Sequence, residues 1–168
     1  MRYKNYPVLM LMLAVAAFSS CKKDGFNGLT NTLPEIPVNV TNVYDFRPSP
    51  TVKASKAENK ITITLEIPAS SGKKIKEITK IAAAATANYT VIYNSTAVGT
   101  AALWSNTPIP VNGTTYTFTT TFDEYKTKTG VTATPASNAL LGRDFYFLLT
   151  LDDGTQLVPR NTRVWVVD

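Results

Sequence analysis

Two pairs of adjacent carboxylates, Asp123-Glu124 and Asp152-Asp153, are the first residues of this chain whose types could support catalysis. Glycoside hydrolysis uses two carboxyl groups about 5–10 Å apart on opposite sides of a sugar. Neighbouring residues at the end of a strand point in opposite directions, so neither pair suits that reaction. The sequence Asp152-Asp153-Gly154 instead predicts a hairpin turn.

The chain contains no histidine and a single cysteine, Cys21. Histidine is the commonest general base and the commonest transition-metal ligand, so its absence excludes the usual Ser-His-Asp and Cys-His arrangements. A calcium loop would need several oxygen ligands at fixed spacing, and no such run occurs. We therefore expect a protein that is not an enzyme and that uses no metal or other cofactor.

Aromatic side chains are the remaining candidates for a binding site, because the apolar face of a sugar ring packs on an exposed aromatic ring. Trp104 lies in a segment with loop-forming and hydrogen-bonding neighbours and is the first candidate, followed by Tyr125 and Tyr146. The alternative is that Trp104 belongs to the core, since large aromatic side chains are mostly buried. Trp165 alternates with valines on the last strand and is predicted to be a packing residue.

The N-terminal segment predicts export from the cytoplasm. Arg2 and Lys4 precede an unbroken apolar run over residues 8–17, which is too short to span a bilayer as a helix and has the length of a signal-peptide core. Ser19 and Ser20 then precede Cys21. This arrangement resembles the lipobox of bacterial lipoproteins, which implies that residues 1–20 are removed and that Cys21 carries the lipid.

The residues after Cys21 refine the expected location. Lys22, Lys23 and Asp24 resemble the export signal of surface lipoproteins of Bacteroidota. That resemblance implies an outer-membrane protein displayed on the cell surface, with the periplasmic face as the alternative. Residues 21–38 contain glycines and prolines without a sustained period and are predicted to form a flexible tether, leaving residues 39–168 as the folded domain.

Beyond the tether, strands must position any site. Residues 61–67 and 144–151 give the clearest patterns, the first alternating isoleucine or leucine with polar residues and the second apolar on both faces. Further strands are predicted over 38–46, 75–81, 116–122, 155–158 and 162–167. Residues 82–85 are predicted as a loop or helical turn, residues 88–93 are strand-like, and residues 125–137 are predicted as a surface loop.

About seven short strands separated by turns predict an all-β domain, an antiparallel β-sandwich. Together with the lipid tether, this pattern resembles the immunoglobulin-like lipoproteins of Bacteroidota, some of which accompany polysaccharide-uptake systems. The resemblance implies a binding or assembly accessory for a glycan or an outer-membrane protein.

The distribution of charge argues against one class of partner. Without Arg2 and Lys4 the chain has 15 basic and 12 acidic residues, and its lysine clusters lack interleaved aromatics, so nucleic acid is not an expected partner. We expect a membrane-anchored, non-enzymatic lipoprotein that binds a glycan or an outer-membrane protein. The alternative is a structural or adhesive scaffold domain that has a protein partner and no small ligand.

Overall fold

The structure is a computed structural model that describes residues 35–46, 48–85, 89–98, 103–131 and 137–168. All of them belong to one compact unit, Leu33–Asp168. The predicted signal peptide, Cys21, the export signal at Lys22, Lys23 and Asp24, and most of the predicted tether lie outside the described residues. Within the described ranges, no helix is both long and apolar enough to cross a membrane.

The described part of the chain is built mainly from strands. A 3-10 turn, Ala69–Ser71, and two short helices, α1 (Tyr89–Asn94) and α2 (Phe122–Thr129), interrupt them. The strands are β1 (Asn39–Val40), β2 (Asp45–Phe46), β3 (Pro50–Ser55), β4 (Ile61–Glu66), β5 (Ile75–Ala84), β6 (Leu103–Ser105), β7 (Ile109–Gly113), β8 (Thr115–Thr120), β9 (Ala139–Leu140), β10 (Asp144–Leu151), β11 (Gln156–Leu157) and β12 (Arg163–Val167).

The strands form three sheets around a shared core. The first sheet has the order β1-β4-β8, the second β11-β10-β5-β6 with β7 also paired to β5, and the third β2-β3-β12-β9. One cluster of buried side chains draws on all three sheets and on α2. The predicted all-β, sandwich-like fold is therefore confirmed, whereas its immunoglobulin-like assignment stays a prediction. The pairing is mostly antiparallel, as predicted, and β3 and β12 form a parallel pair.

The burial of β4 and β10 follows the two patterns that the sequence shows most clearly, alternation in β4 and apolar residues on both faces in β10. In β4 the buried residues are Ile61, Ile63 and Leu65, and the residues between them are half-buried. In β10 five consecutive residues from Phe145 are buried. The two faces of β10 contribute to different clusters, one in the main core and one beneath α1, because helix α1 covers the outer side of the second sheet.

Three local predictions are wrong. The alanines at 82–84 are part of β5, where small side chains let neighbouring elements pack closely, and Ala82 lies in the cluster that also holds Ile92 of α1. Residues 89–94 form a helix instead of a strand, because burying Ile92 against the sheet outweighs the strand preference of valine, isoleucine and tyrosine. Residues 122–129 form α2, so the surface loop predicted for 125–137 begins no earlier than Gly130.

Candidate functional site

The three aromatic residues predicted to bind a ligand are buried in the structure. Trp104 is 5% exposed, Tyr125 2% and Tyr146 1%. None of them presents a ring face to solvent, so the predicted stacking platform at these positions does not form. Trp104 lies in the core, as the alternative prediction states.

Trp104 and Tyr125 belong to one aromatic cluster in the core. The ring centroid of Trp104 lies 5.4 Å from that of Phe145, 5.9 Å from that of Phe118 and 6.4 Å from that of Tyr125. Such edge and tilted contacts stabilise a core beyond the area they bury. The Tyr125 hydroxyl donates a hydrogen bond to the carbonyl oxygen of Arg143 at 3.2 Å, and burial raises the pKa of this phenol to about 12. These two side chains therefore stabilise the fold.

Tyr146 lies on the opposite face of β10, beneath helix α1. Its ring meets that of Tyr89 edge-to-face, with centroids 5.6 Å apart. It belongs to the smaller buried cluster, together with Ile92 and Leu148. Its role is to seat the helix on the second sheet.

The carboxylate pairs have structural roles. Asp152-Asp153-Gly154 forms the predicted turn between β10 and β11, with Gly154 at a φ of 86°. The Asp153 carboxylate pairs with the Lys73 ammonium at 2.8 Å and accepts a hydrogen bond from the Thr155 backbone N–H at 2.9 Å, and these contacts hold the pKa of Asp153 well below its usual range. Asp123 and Glu124 occupy the first turn of α2, where the helix dipole favours negative charge. In the described ranges, no three His, Cys, Asp or Glu residues are grouped so that they could hold a metal ion.

An exposed site lies instead on the outer face of the third sheet. A pocket of about 210 Å³ is lined there by Tyr44, Asp45, Thr51, Leu140, Arg163 and Trp165. We call it the sheet-face pocket. Val164 and Val166 of β12 point into the core, so Arg163 and Trp165, which alternate with them, point outward.

Strand register arranges these outward side chains in two rows. One row crosses from Asp45 through Thr51 to Arg163, since Thr51 is paired with both of the others. The next row crosses from Lys53 through Trp165 to Leu140. Neighbouring strands lie about 4.8 Å apart, and the rows, two residues apart along each strand, are separated by about 6.6 Å. The polar row of Asp45, Thr51 and Arg163 thus runs beside a row that contains Trp165 and Leu140, within the span of one small ring.

Tyr44 completes the apolar side of the sheet-face pocket. The residue precedes β2 and is 58% exposed, and its backbone N–H donates to the carbonyl oxygen of Thr51 at 2.8 Å. The Lys53 ammonium lies 3.8 Å from the centre of the Tyr44 ring, a cation–π contact that orients the ring. Two aromatic side chains, Tyr44 and Trp165, therefore border the pocket.

A hydrogen-bonded group of side chains lies near Arg163 of the polar row. The Asn161 amide donates to the Asp144 carboxylate at 2.6 Å, and the Ser49 hydroxyl donates to the Asn161 side-chain oxygen at 3.1 Å. Burial raises the pKa of Asp144, while the hydrogen bond from Asn161 and the nearby charge of Arg163 counteract that shift. Asp45 itself accepts a hydrogen bond from the Phe46 backbone N–H at 2.7 Å.

This combination suits a small polyhydroxylated ring. Aromatic faces carry partial negative charge and attract the C–H groups of an apolar ring face. A carboxylate accepts hydrogen bonds and a guanidinium donates several in a fixed plane, so Asp45 and Arg163 match the two roles of adjacent hydroxyl groups. The pocket is smaller than the about 300–1,000 Å³ typical of drug-sized ligands, which favours one ring-sized group over a large molecule.

Neither aromatic side chain of this pocket was among the site residues predicted from sequence. Trp165, predicted as a packing residue and not as a site residue, is half-buried and borders the pocket. Its alternation with valines was the available signal, because it places Trp165 on the face opposite the buried residues. Nothing in the local sequence indicates that Tyr44 lies over Lys53, since their contact depends on the pairing of β2 with β3.

Comparison with known proteins gives no assignment for this chain: no protein family, no curated protein and no solved structure matches it.

Proposed function

We propose that this protein is a membrane-anchored, non-enzymatic lipoprotein of the outer membrane that captures a glycan at the cell surface. Its anchor would be Cys21, and its export signal Lys22, Lys23 and Asp24, as the lipobox resemblance implies. The observation that carries glycan capture is the sheet-face pocket, in which two aromatic side chains border a row of hydrogen-bonding groups. A sugar ring would lie against Trp165 and Tyr44 and direct its hydroxyl groups toward Asp45 and Arg163.

Tryptophan fluorescence offers a direct test, because the chain has two tryptophans and they occupy different places. In a Trp104→Phe variant, Trp165 is the single reporter and lies in the proposed site. Titration with a panel of neutral and acidic polysaccharides should give a saturable change in its emission. The same variant should retain a cooperative thermal transition, since phenylalanine fills most of the Trp104 site.

Binding by affinity electrophoresis then locates the site without relying on fluorescence. Trp165→Ala and Tyr44→Ala should each weaken polysaccharide retention at least about tenfold, which corresponds to 1.4 kcal/mol. Tyr93→Ala is the matched control, because Tyr93 is an exposed tyrosine on α1, away from the third sheet. Equal retention of the Trp165→Ala, Tyr44→Ala and Tyr93→Ala variants would contradict glycan capture at this face.

The structural or adhesive scaffold role is the second candidate. Apolar side chains outside the pocket favour it, since Tyr89, Tyr93 and Val98 are exposed on and just after α1. Surface aromatics of this kind are enriched where proteins contact each other. Failure of every polysaccharide in the panel to bind, with the variants folded, would favour this role.

A further inference from the structure

The outer edge of β8 carries a row of backbone groups that no other strand in the described part of the chain pairs. Strand β8 ends the first sheet, and its residues are paired to β4 from Thr115–Glu66 to Thr120–Ile61. The Ile67 N–H donates to the Thr114 carbonyl oxygen on this side of β4, whereas the Thr64 carbonyl oxygen accepts from Thr41 on the other side. Because bonded pairs alternate in an antiparallel ladder, the N–H and C=O groups of Thr115, Thr117 and Thr119 point away from β4.

This edge lacks the features that usually prevent strands from pairing with another chain. Soluble proteins protect sheet edges with short strands, prolines or charged residues. The other outer strands of the described sheets follow this rule: β1, β2, β9 and β11 have two residues each, β6 has three, and β7 contains Pro110. Strand β8 has six residues, none of them charged and none proline. Its outward threonines are exposed.

We propose that β8 pairs with β8 of a second copy of this chain, antiparallel and centred on Thr117. The argument for a second copy is the sequence Thr115-Tyr116-Thr117-Phe118-Thr119, which has the same alternation in both directions. With Thr117 opposite itself, Thr115 faces Thr119 on the exposed side and Tyr116 faces Phe118 on the core side. Threonine pairs and aromatic pairs across strands are favourable, and no like charges meet. The two first sheets would form one continuous six-stranded sheet.

Disulfide trapping tests both the partner and the register. In the proposed pairing the two Thr117 residues form a hydrogen-bonded pair with Cα atoms about 5.5 Å apart, which suits a disulfide. The full-length Thr117→Cys protein, purified in detergent and mildly oxidised, should become mostly a covalent dimer. Thr115→Cys is the matched control: residue 115 faces residue 119, so it should form at least about tenfold less dimer alone and should crosslink when mixed with Thr119→Cys.

A blocking variant separates pairing at this edge from crowding in the micelle. Thr117→Lys places two like charges opposite each other and should convert the native dimer to monomer in sedimentation velocity. Its far-UV circular dichroism should match that of the parent chain and it should still unfold cooperatively, because Thr117 is exposed. A native monomer, equal crosslinking of Thr115→Cys and Thr117→Cys, or a dimer that survives Thr117→Lys would each overturn the proposal. So would crosslinking in cells to a different protein, which would assign the edge to another partner.

Discussion

At the scale of single residues, burial of the Tyr125 phenol makes the free energy of unfolding depend on pH in the alkaline range. Burial raises its pKa to about 12 from 10.0, so the folded state keeps a proton that the unfolded state loses. Since the folded state then binds more protons, the free energy of unfolding is intact below pH 10 and falls progressively as the pH rises from 10 to 12. One pKa unit corresponds to about 1.4 kcal/mol, so the loss by pH 12 should reach about 2 kcal/mol.

Tyr125→Phe isolates this contribution from the titration of the lysines. The variant loses the hydrogen bond to Arg143 and should be about 1 kcal/mol less stable at pH 8. Between pH 9 and 11.5, however, its urea midpoint should fall less steeply than that of the parent chain. If the urea midpoints of the two proteins fell equally with rising pH, the raised pKa of Tyr125 in the folded state would be contradicted.

At Thr162, by contrast, we expect a substitution to stabilise the protein. Its side chain is fully buried, and its hydroxyl oxygen has no hydrogen-bond partner in the described part of the chain. Burying an unpaired hydroxyl costs about 1–3 kcal/mol, and valine has nearly the same shape. Thr162→Val should therefore raise the free energy of unfolding by about 1 kcal/mol, measured by urea denaturation. Thr162→Ser, which keeps the hydroxyl and removes a methyl group, should lower it.

At the scale of elements, capping residues fix where helix α2 begins and ends. The Thr121 hydroxyl accepts a hydrogen bond from the Glu124 backbone N–H at 3.0 Å, and Gly130 ends the helix with a φ of 67°. Thr121→Ala should lower the free energy of unfolding by about 1 kcal/mol, because it leaves a terminal N–H without its cap. Thr121→Ser, which keeps the capping oxygen, should cost much less in the same urea titration.

The sequence predicts those elements in which the pattern of apolar residues matches the pattern of buried residues. It does not predict the elements whose conformation depends on packing against distant parts of the chain. Strands β4 and β10 were evident because each residue's exposure follows from alternation or from full burial. Helix α1 and the alanines of β5 were misassigned because their conformations depend on packing against each other, which no local pattern contains. The same reason applies to the site: the outward direction of Trp165 could be deduced from its valine neighbours, whereas its proximity to Tyr44, Asp45 and Leu140 arises from the order β2-β3-β12-β9.

At the scale of the whole molecule, the two proposed surfaces lie on different sheets. The sheet-face pocket uses side chains of the third sheet, and the β8 edge uses backbone groups of the first. Pairing through β8 would therefore use none of the residues that line the pocket. Two pockets in one assembly would bind a repeating polysaccharide more tightly than one, because the second contact becomes intramolecular. Thr117→Lys should then weaken retention of a long polysaccharide while leaving the affinity for a short oligosaccharide unchanged.

The proposed membrane anchor can also be tested by mutation. Each buried methylene contributes about 0.8 kcal/mol, so the two or three acyl chains expected on Cys21 should hold the protein to a membrane almost permanently. Cys21→Ala should move the protein from the detergent phase to the aqueous phase in Triton X-114 partitioning. Its thermal transition should not change, because the described core lies within Leu33–Asp168. Asp24→Ala, which keeps the cysteine, should stay in the detergent phase while its surface exposure in intact cells decreases. If Cys21→Ala stayed in the detergent phase, the anchor would not be at this cysteine.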